Sequence, residues 1–217
     1  MKVSCAAMVA VLAGLVTAGC TPDWATTNST PYIMEISGIA PAGGSIGSAI
    51  MSDVSVPVIN DDADVNVNIF RKNNNPNMGV SPVEHIYLER YEVRYFRSDG
   101  RNQEGVDVPY RITGPLGNIR YHTPSPGGGG EVEATVSITI VRHQAKLEPP
   151  LRNLQGGLVG DTGAVQLPGA GVLTTIAEIT IHGRTVQGQG LEAKGNVQVT
   201  FADFPDAAAA APATGGQ

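Results

Sequence analysis

Residues 43–47 read GGSIG, which puts Ser45 at the centre of the G-x-S-x-G spacing of a nucleophile elbow. That spacing serves acyl-transfer chemistry when a sharp turn between a parallel strand and a helix lifts the hydroxyl clear of the backbone. Here the segment that follows, SAIMSDVSVPV, turns β-like and offers no helix. A Gly-rich loop is the plainer reading, and a serine hydrolase built on Ser45 is the last alternative. A second cluster is NDDADVNVN, residues 60–68, with Asp61, Asp62 and Asp64 among three asparagines. Hard oxygen ligands in a turn suit Ca²⁺. The EF-hand spacing, its Gly and its closing Glu are missing, so a solvated turn leading into a polar-faced strand competes with the metal reading. The three Asp remain weak metal candidates. Tyr87, Tyr91 and Tyr95 lie in one run. Exposed, they would form a stacking platform for sugars. Arg90, Glu92 and Arg94 alternate with them, which predicts instead that Tyr91 and Tyr95 face a core. The four histidines, His85, His122, His143 and His182, fall at no metal-ligand spacing from one another. No Walker pattern, CxxC, HExxH or S-x-x-K occurs. The expectation is therefore no enzyme and no cofactor.

The elements that would position these residues are strands. The segment EVEATVSITIV, residues 131–141, sends Val132, Ala134, Val136, Ile138 and Ile140 to one face and Glu and Thr/Ser to the other. A period of two with one apolar face is a half-buried strand. The same period recurs over residues 64–70, 90–96, 177–183 and 196–204. Further strands are expected over 32–36, 54–59, 106–113 and 116–121. Residues 173–184 and 191–204 should close the domain as a hairpin. A short helical turn is expected at PPLRNL, residues 149–154, with Pro at its start. Residues 122–131 and 144–171 read as long loops. The chain has 27 Gly and 15 Pro in 217 residues, which favours turns over helices. The fold class predicted is all-β: an immunoglobulin-like antiparallel β-sandwich of about nine strands over residues 31–205. A lipidated tether over 20–30 and a low-complexity, disordered tail over 206–217 flank it.

The net charge of −6 argues against a nucleic-acid partner, because phosphates need a basic stripe. The first nineteen residues carry one charge, Lys2, then an apolar stretch over 3–16. Fourteen residues are too few to span a bilayer core, which takes roughly 20. They read as a secretory signal peptide. Its end, TAGC, residues 17–20, resembles the lipobox of bacterial lipoproteins, with Thr17 standing where Leu is usual. The resemblance covers only this N-terminal segment. It implies that the Cys20 thiol takes a diacylglyceryl group, that residues 1–19 are removed, and that the new amine is acylated. Two or three chains would make the anchor effectively permanent. By the same resemblance Thr21, rather than Asp, favours the outer membrane. Cys5 falls in the removed segment, so the mature chain would carry one cysteine and no internal disulfide. The function expected is that of a lipid-anchored, non-enzymatic envelope protein whose β-sandwich is structural or binds an envelope or extracellular protein partner. A carbohydrate- or calcium-dependent binding module is the alternative.

Overall fold

The computed structural model describes Thr30 and residues 32–72, 85–122, 131–156 and 171–204. Cys20, the tether, the 206–217 tail and most of the 122–131 loop lie outside them. So do residues 157–170 of the predicted 144–171 loop.

Eight strands among the described residues form two sheets. β1 (Tyr32–Pro41), β3 (Asp61–Arg71) and β6 (Glu131–Val141) make a three-stranded sheet in the order β1-β3-β6. β2 (Ile50–Asp53), β4 (His85–Phe96), β5 (Ile112–His122), β7 (Val172–Thr185) and β8 (Gly190–Ala202) make a five-stranded sheet in the order β2-β8-β7-β4-β5. The chain is thus nearly all β. All pairings are antiparallel except β2 with β8, which is parallel and corrects the all-antiparallel expectation.

The period-two faces close on each other as predicted. Val65, Val67 and Ile69 of β3 meet one core with Val93, Ile179, Ile181 and Val199 of the larger sheet. Each such side chain, fully buried, contributes on the order of 1.5–3 kcal/mol of transfer free energy. The predicted terminal hairpin forms in full, with Leu173 opposite Phe201 and Arg184 opposite Gly190. Two bulges keep the alternation aligned. In β4 the register against β7 slips between Leu88 and Arg90, so Glu89 is the extra residue. Ile86 and Leu88 before it, and Tyr91, Val93 and Tyr95 after it, therefore all face inward. The second bulge, in β1, makes Ser37 the unpaired residue; its hydroxyl donates to the Asn66 carbonyl and to Asn68 Oδ1.

Two predicted strands are turns, for identifiable reasons. In place of a strand over 54–59, Asp53 accepts hydrogen bonds from the Ser55 amide and hydroxyl at 2.9 and 2.8 Å. That local Asx geometry competes with a ladder, and Pro57 has no N–H to give. Burial pushes the Asp53 carboxyl up, but the bonds from Ser55 and Phe204 outweigh it and hold it below its usual value. The strand here is instead the preceding Ile50–Asp53. In place of a strand over 106–113, the Gln103 carbonyl collects the amides of Val106, Asp107 and Val108. Gly105 takes φ +76° in that turn, and β5 begins only at Ile112. β5 then absorbs the predicted 116–121 strand.

The predicted helical turn appears as a 3₁₀ turn, Leu151–Leu154. A four-residue helix α1 (His143–Lys146), not anticipated, precedes it. Among the described residues no helix is long and apolar enough to cross a membrane.

Gly114 of β5 lies directly across from Tyr91. A Cβ there would fall 2.4 Å from Tyr91 Cε1. The ring lies over the glycine and is itself buried. Gly114→Ala should therefore push Tyr91 off its place in the core and destabilise the fold by about 1–3 kcal/mol. Urea unfolding would measure this; an unchanged midpoint would mean the ring moves aside freely.

Candidate functional site

β1 belongs to one sheet, yet it runs along β8 of the other. Near its start, Thr30, Tyr32, Ile33 and Met34 face Gly190, Leu191 and Glu192 across a recess of about 280 Å³. Further on, Ile36 to Ile39 face Gly195 to Gln198 across a recess of about 370 Å³. After the loop at 42–49 the chain re-enters as β2 and pairs with β8 from Val199 onward. Among the described residues no strand pairs with β8 on that side before Val199. The result is a furrow between two strand edges, one from each sheet.

Side chains shape the furrow. A Cβ at Gly195 would lie 2.8 Å from Ile36 Cγ2, so the glycine lets Ile36 reach across the seam. Ile46 of the loop lies against Gly38 in the same way while staying 62% exposed. Apolar surface that remains this exposed on a loop over a groove is suited to contact with something else.

A third recess, about 290 Å³, opens at the same corner on the outer face of the larger sheet. The register sets it: Arg90, His182 and Glu192 stand side by side on β4, β7 and β8. The His182 Nδ1 is 3.7 Å from Glu192 Oε2, and its Nε2 is buried without a hydrogen-bond partner. Lys194 pairs with Glu192 at 3.1 Å, and Arg184 pairs with the bulge residue Glu89 at 2.6 Å. Burial, then the neighbouring Arg90, depresses the His182 pKa below its usual 6.5, and Glu192 only partly offsets this. The folded state thus favours the neutral ring. That contribution to stability is complete above about pH 6.5 and is lost as the pH falls through the lower, folded-state value. The melting temperature should fall on acidification from pH 7 to 5. His182→Gln should flatten that part of the profile; an unaltered profile would assign the acid sensitivity to other groups.

The remaining predicted residues fall as follows. Ser45 sits in the exposed loop joining β1 to β2, two strands with no helix between them. The strand–turn–helix setting that exposes an elbow nucleophile is absent at this position. Asp61, Asp62 and Asp64 lie within β3 rather than in a turn, which corrects that part of the expectation. A strand alternates its faces, so Asp61 and Asp62 point to opposite sides; the register shift beside them leaves Ile140 of β6 unpaired. Asp62 accepts a hydrogen bond from Thr139 at 2.8 Å, while Asp61 turns inward to Lys146. Asp62 and Asp64 share the outer face at the two-residue strand spacing, about 6.7 Å. Among the described residues no group of three or more His, Cys, Asp or Glu could hold a metal ion. Tyr91 and Tyr95 are buried, as the alternation predicts, and so do not form an exposed platform. Cys20 lies outside the described residues. Sequence reasoning missed the furrow, because it depends on which strand edges end up side by side. The signal available was the pair Gly38 and Gly195, isolated glycines inside strand patterns.

No protein-family model matches this chain. No curated protein matches it either. Among solved structures, the chain is similar at 12% identity to the crystal structure of a Bordetella pertussis protein provisionally named ApaA, over 80% of this chain and 95% of that one, with a TM-score of 0.29.

Proposed function

We propose that this chain is a lipid-anchored envelope protein, without catalytic activity, whose immunoglobulin-like β-sandwich binds a protein partner along the β1–β8 furrow. The observation that carries the reading is the position of that furrow. It starts at Thr30, ten residues after Cys20, and those residues reach at most about 35 Å. An acylated Cys20 would hold the start of the furrow near the membrane and leave the rest pointing along the domain. Support for the immunoglobulin-like reading comes from the strand order. Strands β7, β8 and β4 form the centre of one sheet and β3 with β6 the other, while the N-terminal run serves both sheets through β1 and β2. The exposed residues beside the furrow, Ile46, Ala49, Asn196 and Gln198, are the surface such a partner would meet.

The test has two arms. In membrane fractionation the native chain is expected to stay with the membrane, and Cys20→Ala is expected in the soluble fraction. If the Cys20→Ala form stays bound equally well, the anchor reading fails. For the furrow, a photo-crosslinking residue at Asn196 in intact cells should capture a defined protein, and Ala49→Trp, which fills the furrow from its exposed rim, should abolish the capture while leaving the melting temperature unchanged. Capture that persists in Ala49→Trp would place the partner elsewhere on the domain.

A further inference from the structure

Among the described residues one lysine is wholly buried. Lys146 ends the single turn α1, and its side chain has no exposed surface. Its Nζ donates a hydrogen bond to Asp61 Oδ1 at 3.1 Å and lies 3.0 Å from Oδ2. Oδ2 is buried and accepts no hydrogen bond. Asp61 keeps 17% of its side chain accessible. The fold brings together two residues 85 positions apart. Asp61 is paired with Val141 at the end of β6, and α1 folds straight back over that end. Gln155 fixes the turn from the other side, donating to the Lys146 carbonyl and to that of Val54.

We propose that Lys146 and Asp61 condense to an intramolecular amide that staples the start of β3 to α1. The argument begins with the cost of the ion pair. Two buried charges each lose their hydration, and mutual attraction offsets that loss only in part. Transfer of one proton from Nζ to the carboxylate along the existing hydrogen bond gives the amine and the acid that amide formation needs. The amine lone pair then attacks Cγ. A C–N bond forms, one C–O bond breaks, and the departing oxygen leaves as water with two of the three protons the ammonium carried. The third proton stays on the amide nitrogen. Nothing is oxidised or reduced, and no co-reactant enters. Two groups fixed in contact react at an effective concentration far above any in solution. The exposed part of Asp61 gives the released water a way out to solvent. The product is neutral, which removes both buried charges. It is also a cross-link that reducing conditions cannot open.

Tryptic digestion of the full-length chain, purified from the membrane and analysed by tandem mass spectrometry, tests this. Trypsin cuts after a free lysine. The expected finding is a branched peptide joining the Asp61 segment to the Lys146 segment, lighter than their sum by one water and uncut after Lys146. Boiled in detergent, the stapled chain should also migrate faster than Lys146→Arg, which keeps the positive charge but lacks the primary amine. Recovery of both segments as linear peptides of unmodified mass, with cleavage after Lys146, would overturn the proposal. So would identical migration of the native and Lys146→Arg chains.

Discussion

Asp61→Ala is expected to destabilise the domain by about 3–5 kcal/mol, because it leaves the Lys146 amine in the interior with no acceptor. The pair sits where α1 closes the end of the smaller sheet, so the penalty cannot be relieved by a swing of the lysine into water without unpacking α1 from Gln155 and the 3₁₀ turn. The sign of the second change makes the argument specific. Lys146→Met in the Asp61→Ala background removes the unpartnered group and refills its volume. The double variant should therefore regain the part of the loss that the unpartnered amine causes. Chemical denaturation of the four species gives the cycle. If each single change costs under about 1 kcal/mol, the pair has no structural role and the buried lysine is accommodated by some other contact.

Phe201→Ala is the second large effect, again about 3–5 kcal/mol. Phe201 has no exposed surface, lies near the end of β8, and packs edge-on against Tyr95 with ring centroids 6.1 Å apart. At Phe201, β8 is held by β7 on one side and β2 on the other, which limits collapse into the space. Tyr95 shows what surrounds that ring. Its hydroxyl donates to the Ile140 carbonyl on the other sheet, and burial holds it well above the usual phenol range, so it stays a donor at every working pH. Tyr95→Phe should cost less than Phe201→Ala, about 1 kcal/mol, because it removes one neutral hydrogen bond and no volume. The order of the two midpoints in urea is the check; a reversed order would mean the bond between the sheets matters more than the packing.

Much of this was legible in the residues themselves. The segment at 131–141 alternates without a break, and β6 occupies that span and no other. The charged stripe Arg90, Glu92, Arg94 reported which way Tyr91 and Tyr95 would turn. The hairpin of β7 and β8 followed from two long alternating runs with a glycine-rich turn between them. Where a strand pattern was wrong, at 54–59 and 106–113, the residues were apolar enough but side-chain and turn hydrogen bonds claimed the backbone first. Val56 and Ile59 consequently remain exposed.

What the amino-acid order determined alone is local: the period of two, the turn between β7 and β8, and a cysteine at 20 in a lipobox-like setting. Each of these depends on neighbours within a few positions. What only the tertiary structure decided is non-local. Which edge lies beside β8, that β1 and β2 divide one run between two sheets, and that Lys146 meets Asp61 all depend on contacts between residues dozens of positions apart. Alternation says which face of a strand is buried but is silent on which strand lies next to it. A lysine in a run of loop residues reads as solvated until α1 folds it under the end of the sheet. The furrow and the buried pair arise from that same cause, because both bring together residues far apart in the chain.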